Sequence, residues 1–267
     1  MTDIYNKETI EKQIRTKWAG KPVHFADTVD STNLWAQRLA DEGAAHGTLC
    51  VAGYQSAGKG SRGRSWQVEK DSSITMSLLL RPSFDPEDAS TLTLVMGLSV
   101  ARAVREAGFD AQIKWPNDVV VSGKKICGIL TQMRLDGNRI RDVVAGTGIN
   151  VNVRSFPPEL EDKATSILIE SGRPYDRAPL VGRVMAWFEG FYEDYEAFGD
   201  LSAMKEAYEE ILVNRDKRVL LLENGNGTEG TARGITRSGE LIVEQDDGTM
   251  FTVRAGEVSV RGLYSYV

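Results

Sequence analysis

The sequence predicts an α+β protein in which a mixed β-sheet domain, residues 1–216, precedes a small all-β unit, residues 217–267. Two observations carry this. Between Val23 and Val153 several strand-like runs are joined by turns too short for crossover helices, such as Val121-Ser122-Gly123 and Asp136-Gly137, and such connections make hairpins rather than a doubly wound sheet. Beyond Asn214 the chain changes character: short apolar runs alternate with Asn224-Gly225, Asn226-Gly227, Ser238-Gly239 and Asp247-Gly248, the spacing of a small β-barrel.

Element by element, Ile4 to Trp18 has Ile4, Ile10, Ile14 and Trp18 near helical spacing and reads as an amphipathic helix. Val23 to Phe25 reads as a strand, and Asp30-Ser31-Thr32-Asn33 supplies side-chain oxygens to cap a helix running to Ala40. Strands are expected at Thr48–Tyr54, Ser73–Arg81, Ala111–Trp115, Asp118–Val121, Lys125–Arg134 and Arg139–Val153, with an apolar helix from Ser90 to Glu106. Helices follow over Ala178–Phe198 and Leu201–Val213. The C-terminal unit offers Val219–Leu222, Gly230–Ile235, Leu241–Glu244, Phe251–Val253 and Val258–Val260 as strands.

Composition narrows the chemistry. With 267 residues, 41% hydrophobic and 26% charged, the chain is an ordinary globular one. Its net charge of −6 disfavours a nucleic-acid binder that works through a basic face. No apolar run approaches the roughly 20 residues of a membrane span, and Met1 to Lys21 has no apolar core of a secretory signal. Two cysteines, Cys50 and Cys127, imply no disulfide framework, so a reducing cytoplasm is expected. Two histidines leave little room for a His-based triad or zinc cluster. Chemistry then falls to Lys, Arg, amides, carboxylates and backbone.

Gly53 to Gly60 nearly matches a phosphate-binding P-loop, but Gly60 replaces the required hydroxyl and Ser61-Arg62-Gly63-Arg64-Ser65-Trp66 does not start a helix. What remains is either a solvated basic turn or a loop in which Lys59, Arg62 and Arg64 neutralise an anion while Gly58, Gly60 and Gly63 let backbone N–H groups approach it. In Lys114-Trp115-Pro116-Asn117-Asp118, Pro116 ends a strand and leaves an amide and a carboxylate at a turn. In Lys124-Lys125-Ile126-Cys127-Gly128-Ile129-Leu130, strict alternation sets residues 125, 127 and 129 on one face and 124, 126, 128 and 130 on the other. Both lysines snorkel, or one meets an anion. In Gly146-Thr147-Gly148-Ile149-Asn150-Val151-Asn152-Val153, one face is apolar and the other is bare backbone followed by amides, a surface for a planar ring unless the glycines mark a bulge.

Taken together, Lys-Trp-Pro-Asn-Asp, Lys-x-x-Gly-Ile-Leu and Gly-x-Gly-Ile-Asn, in this order and spacing, resemble the biotin protein ligases, a subgroup of the biotin/lipoate ligase family. The likeness covers about Asp30 to Asn152 and returns in Ala255-Gly256-Glu257-Val258-Ser259, which looks like the family's closing strand. It implies a catalytic domain of the biotin/lipoate ligase type with an SH3-like barrel, and it implies the reaction: biotin and ATP, with Mg²⁺, give biotinyl-5′-AMP, and a lysine of a biotin carboxyl carrier protein then takes the biotin. Lipoate or octanoate transfer is the nearest alternative. A DNA-binding repressor is disfavoured, since too few residues precede Ser31 for a helix-turn-helix module; no nucleic-acid or membrane partner is expected, and a monomer or weak homodimer is.

The resemblance also assigns roles. Ser31, Thr32, Asn33 and Gln55 match the biotin pocket, together with Gly58, Lys59, Gly60, Ser61, Trp66, Lys125 and Gly128. Arg62, Arg64, Asn117, Asp118, Gly146, Gly148 and Asn150 match the ATP side, with Asp118 the metal ligand. Lys125, Arg62 and Lys59 are the implied catalytic cations. One departure stands out: the family's loop usually reads Gly-Arg-Gly-Arg-Arg-Gly-Arg-x-Trp, and here Lys59 keeps its charge while Ser61 loses one.

Overall fold

The computed structural model describes residues 3–223, 226–255, 259–262 and 266–267. Its larger part is a seven-stranded sheet in the order β1-β2-β3-β7-β6-β5-β4. In chain order the elements are α1 (Lys7–Glu11), β1 (Val23–Val29), α2 (Thr32–Asp41), β2 (Leu49–Gln55), β3 (Ser73–Leu80), α3 (Thr91–Glu106), β4 (Ala111–Lys114), β5 (Asp118–Val121), β6 (Lys124–Asp136), β7 (Arg139–Asn150), α4 (Ile167–Ser171), α5 (Arg177–Phe198) and α6 (Lys205–Glu210). β1 and β2 run parallel across α2, and every other neighbouring pair is antiparallel. The expected mixed sheet is the one that forms.

Alternation on β7 explains how both faces are covered. Val143, Ala145 and Ile149 join the main core on the side of α3 and α5, whereas Val144 packs with Ala36 and Ala40 of α2. The same alternation carries Gly146, Gly148 and Asn150 onto the α2 side, beyond the helix's apolar stripe. There the sheet is left without helical cover.

Two expected helices are shorter than their periodicity. α1 starts at an Asn6 capping box and stops at Glu11, and the expected continuation to Trp18 does not form, the Glu189 carboxylate taking the N–H groups of Lys17, Trp18 and Ala19 at 2.8, 2.7 and 2.9 Å. Burial disfavours charge on Glu189, and these donors outweigh it and hold the carboxyl below its ordinary pKa. α6 covers only Lys205–Glu210 of the expected Leu201–Val213, because Ile211 and Val213 pair instead with Ile113 on the edge strand β4. Helix α4 was not signalled by the sequence pattern; Ser166 caps it.

The second sheet contains β8 (Arg218–Glu223), β9 (Asn226–Ile235), β10 (Leu241–Glu244), β11 (Met250–Val253) and β12 (Ser259–Gly262) in the order β11-β10-β9-β8-β12, all antiparallel. This is the SH3-like unit; the turn at Asn224-Gly225 and the stretch Gly256 to Val258 lie outside the described residues. Its inner residues Val219, Leu221, Ile235, Leu241 and Val243 belong to the same apolar cluster as α3 and α5. Polar ties reinforce the junction: Trp115 Nε1 donates to the Gly239 carbonyl at 3.0 Å and Ile235 N to Glu209 Oε1 at 2.9 Å. No helix among the described residues is long and apolar enough to cross a membrane.

One pH effect follows from the packing. The His46 ring packs at a tilt against Trp18, 4.3 Å between centroids, and its Nδ1 accepts the Arg81 N–H, and burial pushes its pKa below the ordinary value. The unfolded chain therefore binds the proton more readily, so this contribution is present above about pH 6.5 and is lost as pH falls through the lowered folded value. Urea midpoints are expected to drop between pH 7.5 and 5.5, and to drop less in His46→Gln.

Candidate functional site

The uncovered part of the sheet forms an open cleft. Its floor is set by register: Gly148 lies opposite Thr75 on β3 and Gly128 on β6, Gly146 lies opposite Ser77 and Leu130, and Asp118 of β5 lies opposite Gly128. Ser31, Thr32, Asn33, Gln55, Lys59, Gly60, Ser61, Trp66, Asn117, Lys125, Gly128, Gly146 and Gly148 all line it. Segments far apart in sequence thus meet at one place.

At one end is a neutral hydrogen-bond network. Gln55 Oε1 accepts from Thr32 N and Thr32 Oγ1 at 2.7 and 3.0 Å, so it caps α2, while Ser31 at the N-cap makes no side-chain cap bond. Ser77 Oγ bonds Thr32 Oγ1 at 2.7 Å and donates to Asn33 Oδ1 at 2.6 Å. Asn33 Nδ2 donates to the Leu130 carbonyl and to Gln132 Oε1 at 3.1 and 2.9 Å. Gly146 makes this possible, since a Cβ there would lie 2.8 Å from Asn33 Cγ. Its bare face, expected to hold a ligand ring, is covered by Asn33.

At the other end lies the charge. Lys125 Nζ is 2.5 Å from Asp118 Oδ1, and Asp118 Oδ2 accepts from the Tyr266 hydroxyl at 2.5 Å. Strict alternation would turn Lys125 away from Gly128, but β6 carries a bulge. Val119 pairs with Cys127 and Val120 with Lys125, so Ile126 is extra, and Ile126 and Cys127 both enter the core. The extra residue reverses the parity and swings Lys125 onto the cleft face. Pairing with the segment at Ala164 holds it there: Lys125 N donates to the Lys163 carbonyl, and Thr165 N to the Lys125 carbonyl.

Residues 58–66 fold into a turn over the cleft, with Lys59 bridging Ser65, Trp66 N donating to the Gly58 carbonyl at 2.9 Å and Gly60 N to the Arg64 carbonyl at 2.7 Å. Gly58 is buried beneath this turn and does not line the cleft. Trp66 reaches inward: a Cβ on Gly148 would lie 2.6 Å from Trp66 Cζ2, and one on Gly128 3.1 Å from Cζ3. The planar ring that rests on the glycine floor is this chain's own indole, with its Nε1 buried and unpartnered. Arg62 is exposed in a left-handed conformation at φ 58°. Arg64 is exposed too, and donates to the Ser61 carbonyl and Oγ at 3.3 and 3.2 Å. Neither arginine lines the cleft. Asn150 is buried behind it, donating to the Thr165 carbonyl at 3.1 Å.

Comparison with known proteins agrees with this architecture. Residues 25–150 match the model of the biotin/lipoate A/B protein ligase family, and residues 216–261 match that of the biotin protein ligase C-terminal domain. A bifunctional ligase/repressor from Bacillus subtilis is 38% identical over 241 residues, 88% of this chain and 73% of the relative. The chain belongs to the biotin protein ligase family. A biotin–[acetyl-CoA-carboxylase] ligase from Paracoccus denitrificans is 28% identical across 87% of this chain and 98% of its own length. The structure of biotin protein ligase from Aquifex aeolicus in complex with biotin and ATP superimposes with a TM-score of 0.78 at 28% identity, covering 91% of this chain and 99% of that one.

Within this ligase several residues in or behind the cleft escaped the motif reading. Ser77 sits mid-strand in an apolar run, and only the register with α2 reveals it; Gln132 lies beyond the Gly-Ile-Leu motif; Ile129, Leu130 and Thr147 line the cleft between recognised glycines. Tyr266 comes from the C-terminal unit, which no motif connects to Asp118. Asp118, the metal ligand that the resemblance implied, is held by two neighbours in this structure. Both Asp118 oxygens are engaged, and no cluster of three or more His, Cys, Asp or Glu suited to a metal exists among the described residues. Asp118 is an ion-pair partner in this arrangement.

Proposed function

We propose that this chain is a biotin–[biotin carboxyl-carrier protein] ligase, with residues 1–216 carrying both reactant pockets and 217–267 the SH3-like unit. The observation that supports this reading best is the union, in one cleft, of a neutral amide–hydroxyl network with the ammonium of Lys125. Ser31, Thr32, Asn33 and Gln55, backed by Ser77, suit the ureido group of biotin, which offers both donors and an acceptor and carries no charge.

In the first step a biotin carboxylate oxygen attacks the α-phosphorus of ATP, a P–O bond forms, and pyrophosphate leaves. Lys125 is the group that faces both anions and offsets charge as they meet. In the second step the amine of a carrier lysine attacks the acyl carbon, AMP leaves, and the amine proton passes to solvent. Magnesium enters as part of the nucleotide substrate, coordinated by its phosphates. Trp66 must leave the glycine floor for adenine to use Gly148, and the turn at 58–66 then carries Lys59, Arg62 and Arg64 towards the phosphates. The free, buried thiols of Cys50 and Cys127 are consistent with a reducing, cytoplasmic setting. Incubation with ATP and either biotin or lipoate, followed by mass spectrometry, tests the reading: biotinyl-5′-AMP is expected, and lipoyl-AMP alone would overturn it.

Ser61 gives a separate expectation. A charged contact to phosphate is worth roughly 1.5–3 kcal/mol against about 1 for a neutral hydroxyl. Arg64 is folded back on Ser61 and supplies none here. Ser61→Arg is therefore expected to slow escape of biotinyl-5′-AMP by about fivefold. Labelling of serum albumin, compared at equal carrier-ligating activity, measures it; equal labelling would mean that Arg62 or Arg64 already fills the role.

A further inference from the structure

Resting on the ligase reading, we infer that Tyr266 is a positioning residue for adenylate formation, acting on Lys125 through Asp118. The contacts form a relay across the two units. The Tyr266 hydroxyl donates to Asp118 Oδ2 at 2.5 Å, while Asp118 Oδ1 holds Lys125 Nζ at 2.5 Å. The ring is fixed independently, since the Lys114 ammonium stands over it at 3.5 Å from the centroid and Lys114 is itself only 6% exposed. A phenol anchored on its face and bonded at its tip leaves Asp118 one orientation.

That orientation has a chemical consequence. An ammonium has three N–H groups and no preferred direction. A carboxylate that presents a single oxygen engages one of them and leaves two for the carboxylate and phosphate that react. Without the phenol, Asp118 is free to turn both oxygens onto Lys125, and the pair tightens against the incoming anions. Burial and the neighbouring Asp118 charge raise the Tyr266 pKa, so the phenol stays a donor across the working pH range. The second unit thereby contributes a side chain to the first step of the reaction, in addition to any part in carrier docking.

Tyr266→Phe keeps the ring over Lys114 and removes only the hydroxyl. It is expected to lower kcat for adenylation about tenfold, the scale of one hydrogen bond to a charged group, while transfer from supplied biotinyl-5′-AMP changes less than about twofold. The deciding measurement is a double-mutant cycle in the full chain: in the Asp118→Asn background, Tyr266→Phe should have no further effect on adenylation. Additive losses in the cycle, or a Tyr266→Phe enzyme with wild-type adenylation, would overturn the assignment. Failure of the wild type to make biotinyl-5′-AMP would instead remove the ligase reading, so the two failures are distinct. Tyr266→Ala, with thermal melting followed alongside, separates loss of the ring's packing from loss of the hydroxyl: a fall in both steps together with a lower Tm would mark Tyr266 as structural only.

Discussion

Lys125→Ala is expected to slow adenylate formation by roughly 10²–10³, because it removes one preorganised charge from the point where two anions must meet. The neighbouring Lys124 supplies the internal control. Its Nζ reaches the Glu161 carbonyl at 3.0 Å on the rim, so Lys124→Ala should change the rate several-fold at most. Pyrophosphate exchange into ATP reads the first step directly. Because Asp118 is paired with Lys125 and also bonded by Tyr266, the alanine variant leaves that carboxylate facing the cleft, and its like charge adds to the deficit. Lys125→Ala/Asp118→Asn should therefore recover part of the loss. Equal effects of the two lysine substitutions would remove Lys125 from the chemistry.

Gly146→Ala is expected to raise the biotin KM about 100-fold, by misplacing a binding group rather than by emptying a cavity. The added methyl would stand 2.8 Å from Asn33 Cγ and 2.9 Å from Nδ2. Asn33 has little freedom to yield, being 4% exposed and tied at once to Ser77, Leu130 and Gln132. The methyl therefore drives Asn33 out of the network and takes its bonds to Ser77, Leu130 and Gln132 with it. Gly190→Ala makes the same chemical change in α5, where a Cβ meets nothing within 4 Å, and should leave KM unaltered. Calorimetry with biotin alone reads the effect without catalysis, and unchanged affinity in Gly146→Ala would show that Asn33 does not touch the ligand.

The sheet, the small second unit and most of the cleft were legible in the sequence because they depend on local signals. Alternation on β7 separated a core face from a bare one, and turn dipeptides marked the strands of the C-terminal unit. What sequence could not supply was anything created by a distant partner. Glu189 takes the N–H groups of Lys17, Trp18 and Ala19, beyond the end of α1, and Ile113 takes the end of α6 into a sheet edge; in each case a long-range bond stands where a helical one was expected. Ser77 looks like any strand serine until α2 is laid over it. The glycine floor was read as a seat for a planar ring, and in this structure the ring that rests on it is Trp66. A pattern of missing side chains reports the shape of a surface and is silent on which of two flat groups occupies it.

The bulge at Ile126 makes this part of the protein depend on strand register as well as on residue identity. Asp118 and Gly128 face each other across β5 and β6, and Lys125 shares their face only because one more residue lies between it and Gly128 than regular pairing allows. Removing Ile126 would leave Lys125 two residues from Gly128, so regular pairing would keep the ammonium on the cleft face, whereas straightening the bulge with Ile126 still present would turn it to the far side of the sheet. Exchanging Ile126 for valine or leucine would leave the ammonium where it is. The register of β5 against β6 therefore decides where the ammonium points, and it is as informative as the names of the residues from Lys125 to Gly128.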